Sequence, residues 1–229
     1  VQVLYLGHIS LDTLIERTIN FYHPQVLNGA EDFLIFCEHP PTLSLGKNFK
    51  GFSKGELPVK VWREKGFDIV QSDRGGQATY HGPGHLMIYP IINLKVLRLG
   101  VKKFIDLFLL SISKALGSLG LISYLDEDKI GLWIDCVPKG ASRESYKLAA
   151  LGLRLDGGIS RHGASLYLEG DMEPFSWFAP CGHIGDKAIT IKKIYDSSDL
   201  ITQEIDFSTL KYILMREISN NLESSLYNL

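Results

Sequence analysis

Tyr146-Lys147-Leu148-Ala149-Ala150-Leu151-Gly152-Leu153-Arg154-Leu155-Asp156-Gly157-Gly158-Ile159-Ser160-Arg161-His162-Gly163-Ala164-Ser165-Leu166-Tyr167-Leu168 is the stretch on which the fold turns. Two strand patterns, Tyr146–Leu155 and Ile159–Leu168, flank Asp156-Gly157-Gly158. Asp-Gly between strands signals a hairpin, because the tight turns that join antiparallel strands need residues that accept φ > 0. If this turn pairs Leu155 with Ser160, Leu151 faces Ala164 and Lys147 lies opposite Leu168. Gly152, Gly163 and Ala164 are small. They open a groove fit for an acyl chain, or they permit a closely packed helix. A slip of one residue would reverse the faces.

Upstream, Phe33-Leu34-Ile35-Phe36-Cys37 reads as a buried strand ended by His39-Pro40-Pro41, and Phe67–Gln71 and Leu86–Leu94 as further strands. Between the last two lies Arg74-Gly75-Gly76-Gln77-Ala78-Thr79-Tyr80-His81-Gly82-Pro83-Gly84-His85. Its glycines and proline argue against a helix or a central strand and for a loop that lets main chain approach a ligand. Arg74, Tyr80, His81 and His85 add charge, aromatic surface and titratable nitrogen, as in a binding wall for a molecule with a polar end and a long body. Ser10 can cap a helix that runs to about Tyr22 and stops near Pro24. Residues 101–119 form an amphipathic helix with Val101, Ile105, Phe108, Leu109, Ile112, Leu116 and Leu119 inward and Gly120 as its stop. Leu121–Leu125 and Ile130–Cys136 read as strands, Pro138–Ser145 as an exposed loop, and Ser208–Leu222 as the last helix. The pattern is α+β: a mixed, largely antiparallel sheet with helices packed on it.

The 229 residues, 45% of them hydrophobic, fit one compact domain, and we expect 1–229 to be that domain. A formal net charge of -2 argues against a general nucleic-acid binder. Apolar runs such as Phe104–Leu110 are too short to span a membrane. The chain opens on a strand, Val1–Leu6, without a cleavable apolar leader; it starts at Val1 rather than Met, so we expect residues upstream to have been removed. Cys37, Cys136 and Cys181 do not make a disulfide framework, and a reducing, cytoplasmic setting is the simpler reading. Cys-x-x-Cys and His-x-x-x-His spacings are absent, which speaks against a metal site. Residues 46–65 carry six basic side chains (Lys47, Lys50, Lys54, Lys60, Arg63, Lys65) against Glu56 and Glu64, which suits either an acidic partner or a solvated loop.

Among the cysteines, Cys37 sits in an apolar strand and reads as core packing. Cys136 ends a strand and reads as structural. Cys181 lies in Phe178-Ala179-Pro180-Cys181-Gly182-His183, outside any apolar period. A thiol on a turn with free amides beside it suits a nucleophile as well as it suits a plain loop. A thiolate needs a nearby cation, for which His81, His162, His183 and Lys147 are candidates. For Lys147 itself, a strand end reaching solvent competes with a partly buried amine that can act as a base.

Taken in order, Arg74–Gly84, Lys147–Arg154, His162-Gly163-Ala164-Ser165-Leu166 and Pro180-Cys181-Gly182 resemble the motifs of lipoyl(octanoyl) transferases. Glu38-His39-Pro40-Pro41 through Leu45-Gly46 and Gly131-Leu132-Trp133-Ile134 are similar to that family too. The resemblance covers roughly residues 1–195. It implies a fold like the catalytic domains of biotin and lipoate protein ligases. It implies transfer of an octanoyl group from octanoyl-acyl carrier protein to a lysine of lipoyl domains, those of 2-oxoacid dehydrogenase acyltransferase subunits and of the glycine cleavage H protein. Cys181 matches the acyl-thioester nucleophile and Lys147 the residue that lowers the thiol pKa and serves as general acid and base. Arg74, Gly75, Gly76, Gln77, Ala78, Thr79, Tyr80, His81, Ala150, Leu151, Gly152, Gly163, Ala164 and Ser165 match substrate-contacting segments, with His162 as an auxiliary. Neither ATP nor a metal is expected. The alternatives are an ATP-dependent ligase of the same fold, a cysteine thioesterase, and a non-catalytic acyl-binding module. The loop between Trp133 and Lys147 looks longer than is usual in the family, and His183-Ile184-Gly185-Asp186-Lys187 is less typical, so His183 receives no role.

Overall fold

The structure is a computed structural model that describes residues 1–53, 57–126, 128–136, 144–178, 186–197 and 206–227. An 8-stranded sheet organises it. Its order is β1 (Gln2–His8), β2 (Phe33–Glu38), β6 (His85–Ile91), β10 (Ile159–Tyr167), β9 (Glu144–Asp156), β8 (Leu132–Cys136) and β7 (Tyr124–Leu125), with β11 (Lys187–Ala188) paired to β9. β1 runs parallel to β2 and β11 to β9; the other pairs are antiparallel. A 3-stranded sheet holds β3 (Thr42–Leu45) between β4 (Asp68–Gln71) and β5 (Ala78–His81). The hairpin forms in the expected register: Leu155 pairs with Ser160 and Leu151 with Ala164. This ladder ends at Ala149 and Leu166, so Lys147 pairs with Trp133 and Ala188 instead of Leu168.

One face of the large sheet is covered by α4 (Val101–Gly117) and α6 (Phe207–Tyr227). Phe104, Phe108, Ile112 and Leu116 of α4 and Leu210, Leu214, Ile218 and Leu222 of α6 are buried there at helical spacing, against Ile88, Ala164 and Ala149. The opposite face carries α1 (Leu11–Arg17) over Ile35, Met87 and Tyr89, and the small sheet over Ala150 and Tyr167. Two layers thus meet the sheet on this side, and a cleft is left between them.

Several expectations change. The helix from Ser10 does not stop at Pro24. A π turn over Thr18–Tyr22 leads into α2 (His23–Leu27), with Pro24 in its first turn, so the helical path continues past the proline with its bonding shifted in the turn before it. Residues 46–65 include α3 (Val59–Glu64) behind Pro58. Ala78–His81 is a strand, yet at the edge of the small sheet, and His85 opens the central strand β6. Ser145 belongs to β9, not to a loop; of the loop 137–146, residues 137–143 lie outside the described residues. Val101 is 45% exposed, because it is the first residue of α4 and precedes the turns that meet the sheet.

Candidate active site

The cleft is floored by the face of β6, β10 and β9 that points away from α4 and α6. Met87 and Tyr89, Gly163 and Ser165, and Ala150 and Gly152 line it. Ser165 pairs with both Met87 and Ala150, so these three form one rung. The roof is Ser44, Ser72, Arg74, Thr79 and His81 from the small sheet and its loops, with Leu11 of α1 at one end. The space enclosed is about 420 Å³, including the part open to solvent. The glycines are set by close approach. A Cβ on Gly152 would come within 3.0 Å of Arg74 Cδ, and one on Gly163 would overlap the Ile88 carbonyl oxygen.

Arg74 is buried and turned inward on its own loop. Its Nε donates to Ser44 Oγ (3.0 Å), one terminal nitrogen to the carbonyls of Ser44 and Gln77 (both 2.8 Å), and the other to the Gly75 carbonyl (2.9 Å). The guanidinium therefore builds the roof. The Gly75 amide donates to the Leu153 carbonyl (3.1 Å) and stitches that roof to β9.

Asp73 makes a second tie. His162 Nε2 donates to its Oδ1 and Arg161 to its Oδ2, both at 2.6 Å, with Arg154 Nε at 3.1 Å. His162 has φ 60°, a left-handed conformation that costs a non-glycine residue about 1 kcal/mol. That bend lets two consecutive residues, Arg161 and His162, reach one carboxylate. Burial raises the Asp73 carboxyl, but the His162 hydrogen bond and the two arginines outweigh it, and the net pKa is lowered. Burial pushes His162 down, against the pull of Asp73.

Three buried polar atoms of the lining, Thr79 Oγ1, His81 Nδ1 and Ser165 Oγ, have no hydrogen-bond partner among the described residues. A buried polar atom without a partner costs free energy, so these atoms suit a ligand that carries polar atoms as well as carbon. His81 sits well below the usual imidazole range, through burial first and then the neighbouring His39 and Arg74. Behind it, His39 Nδ1 donates to the Ile9 carbonyl (2.6 Å). Its Nε2 must then accept from the Tyr89 hydroxyl (2.8 Å), because burial holds this imidazole neutral with its pKa down to about 4.

Lys147 is not among the residues that line the cleft, but a β-bulge turns it to the same face of the sheet. Leu132 pairs with Ala149 but Trp133 with Lys147, so β9 carries an extra residue, Leu148. Leu148 and Ala149 both pack under α4 and α6, which returns Lys147 to the face of Ala150. It is 4% exposed, with Nζ 4.8 Å above the Trp133 ring. Cys181 and its neighbours 179–185, His183 among them, lie outside the described residues. Their flanks do not. Phe178 packs on Trp62 and Phe175. Asp186 accepts from Lys129 Nζ (2.7 Å), and Ala188 just beyond it pairs with Lys147.

Of the residues expected to bind substrate, Arg74, Thr79, His81, Ala150, Leu151, Gly152, Gly163 and Ser165 converge on the cleft, together with His162. Gly75, Gly76, Gln77, Ala78, Tyr80 and Ala164 are not among its lining. Ala78 and Tyr80 pack into the small sheet's own core, and Ala164 faces α4 and α6. Sequence reasoning missed Leu11, Ser44, Ser72, Met87 and Tyr89. Met87 and Tyr89 alternate along a strand that had been located, but the neighbour that gives their face a purpose comes from elsewhere in the chain. Among the described residues no group of three or more His, Cys, Asp or Glu is placed to hold a metal ion, and no helix is long and apolar enough to cross a membrane.

Apart from Leu11, the residues that build this cleft all lie within a match to the family described as lipoyl protein ligase A/B catalytic domain. The chain matches that family over residues 20–219 and belongs to it. Its curated relatives include an octanoyltransferase from Shewanella sediminis, 36% identical over 197 residues (85% of this chain and 81% of the relative). Another, from Bacteroides fragilis, is 33% identical over 190 residues (82% and 80%). Among solved structures, a putative lipoate protein ligase from Thermoplasma acidophilum has the same fold: TM-score 0.66, 14% identity, 97% of this chain and 85% of that one. A lipoate-protein ligase A bound with ATP gives the same values.

Proposed function

We propose that this chain is an acyltransferase that moves an octanoyl group from octanoyl-acyl carrier protein to a lysine of a lipoyl domain. The similarity to curated octanoyltransferases over most of both chains carries this reading. The cleft adds a physical basis. Its floor includes two glycines, an alanine and a methionine beside Tyr89 and Ser165, which leaves room for an alkyl chain, and each buried methylene contributes about 0.8 kcal/mol. Thr79, His81 and Ser165 offer polar atoms for the carbonyl.

In the first step the Cys181 thiolate attacks the thioester carbonyl, the carbon–sulfur bond to the carrier's pantetheine breaks, and the departing thiolate takes a proton from the Lys147 ammonium, which leaves that amine neutral for the second step. One thioester replaces another, so no ATP is consumed and no metal is called for. In the second step the neutral amine of the acceptor lysine attacks the Cys181 thioester. The new carbon–nitrogen bond forms, the bond to sulfur breaks, and the amine's proton passes to Lys147. Lys147 suits that part because it is buried on the cleft face. His162, the other candidate base, is held by Asp73 roughly 20 Å away along β9. His81 is too weak a base when buried. Residues 1–229 act as one catalytic domain, in the cytoplasm. The acceptors are lipoyl domains such as those of 2-oxoacid dehydrogenases and the glycine cleavage H protein.

Intact mass spectrometry after mixing with octanoyl-carrier protein tests the reading. An octanoyl adduct on Cys181, discharged by a lipoyl domain, is expected. Cys181→Ala should lose it, and Lys147→Ala should acylate at least tenfold more slowly. The ATP-dependent ligase is the second reading, favoured by the ligase structures that share the fold. Product formed only from free octanoate and ATP would replace the transferase by that ligase. Free octanoate released despite a supplied lipoyl domain would indicate a thioesterase.

A further inference from the structure

A second, smaller hollow lies behind the cleft, under α1, with about 240 Å³ of space counting the part open to solvent and room inside for little more than one water. It is lined by Leu14, Ile15, Thr18 and Arg161, and by three residues that also line the cleft: Leu11, Tyr89 and His162. These three are therefore a partition with a space on each side. All are held firmly. Leu11 is 3% exposed at the start of α1, Tyr89 is fixed by His39, and His162 by Asp73.

The partition stands at the end of the cleft farthest from Lys147. The rung of Met87, Ser165 and Ala150 is nearest to Lys147 along the hairpin, whereas His162 pairs with Leu153, roughly 10 Å further along β9. An acyl chain whose carbonyl is held at the Lys147 end points its methyl end at Leu11, Tyr89 and His162.

We infer that this partition is the ruler for acyl-chain length, with Leu11 as its adjustable part, and that the cavity under α1 is the extension it denies to longer chains. The inference rests on the acyl-transfer reading above. Leu11 is the adjustable part because it makes no polar contact through its side chain, whereas Tyr89 and His162 anchor the network behind them. Beyond Leu11 the walls include Leu14 and Ile15 beside Thr18 and Arg161, so the space revealed on trimming offers apolar surface to further methylenes. Two further methylenes buried there are worth about 1.6 kcal/mol, a factor of roughly ten.

The test is kcat/KM for octanoyl-, decanoyl- and dodecanoyl-carrier protein, with a lipoyl domain as acceptor. The wild-type chain should prefer octanoyl. Leu11→Ala should raise the decanoyl-to-octanoyl ratio about tenfold, and Leu11→Val by a smaller factor. Ile15→Phe, which fills the rear cavity and leaves the partition, should keep the wild-type ratio and should cancel the gain when combined with Leu11→Ala. An unchanged ratio in Leu11→Ala and Leu11→Val, with octanoyl transfer intact, overturns the ruler while leaving the transferase standing. If Leu11→Ala does not fold, the Leu11→Val ratio decides. A wild-type chain that transfers no octanoyl group removes both the reading and the ruler.

Discussion

Gly163 shows how tightly one residue can be specified here. Its missing side chain lets β10 pass against the Ile88 carbonyl of β6 while its other surface floors the cleft. Gly163→Ala must push those strands apart, and overpacking of a well-fitted interior costs about 1–3 kcal/mol. A lower urea midpoint with an unchanged m-value is expected, together with loss of transfer activity. Lys147 teaches the complementary lesson. Its identity as a candidate was legible from its apolar neighbours and from the family motif, but its direction was not. Simple alternation from Ala150 places Lys147 with Ala149 and Leu151, on the helix side. Only the pairing with β8 reveals the extra residue that turns it back. A bulge belongs to a pair of strands, and one strand read alone does not contain it.

At the level of elements, the hairpin register was legible from the turn as far as Ala149 and Leu166, because Asp156-Gly157-Gly158 fixes it through local backbone chemistry, while the pairing expected between Lys147 and Leu168 fails beyond the bulge. The small sheet was not. Its roof strand β5 is short, sits between glycine pairs, and is identified by pairing with β3 rather than by any period of its own. The C-terminal helix was located, though its reach was not. Lys211 of α6 donates to Glu38 Oε1 (2.6 Å), while Glu38 Oε2 accepts the Gly84 amide (2.9 Å). That helix thus holds the turn between β5 and β6. Burial raises the Glu38 carboxyl, but its bonds to Lys211 and Gly84 bring it down overall. Lys211→Met keeps the stem of the side chain and removes the charge. It should weaken acyl transfer severalfold and cost about 1 kcal/mol, a modest figure for a pair partly reached by solvent. Leu214→Ala, on the fully buried face of the same helix, should cost 2–5 kcal/mol in a thermal or urea melt.

For the molecule as a whole, the buried imidazoles make stability depend on pH. His39 has its pKa lowered to about 4 and His85 to about 3, both by burial. Each stays neutral in the folded chain at pH values where the unfolded chain protonates it. The unfolded state then binds more protons, so stability is full above about pH 6.5 and falls as the pH drops towards 4 and 3. Each group removes about 1.4 kcal/mol per pH unit in that window. Urea melts at pH 7.5 and 5.5 should differ by about 2–3 kcal/mol from these two residues, and a double His39→Gln, His85→Gln variant should reduce the difference by that amount, leaving the share of the buried His81. Acid sensitivity is thus built into the layer that carries the roof. The bulge at Leu148 has a consequence of another kind, in heredity. Loss of that single codon keeps the reading frame and leaves plain alternation, with Lys147 still on the face of Ala150, whereas one codon inserted between Lys147 and Leu148 turns the lysine to the helix side. Such an insertion allele would yield a protein that folds and accumulates yet turns over no substrate, and loss of the Leu148 codon in the same strand would restore it.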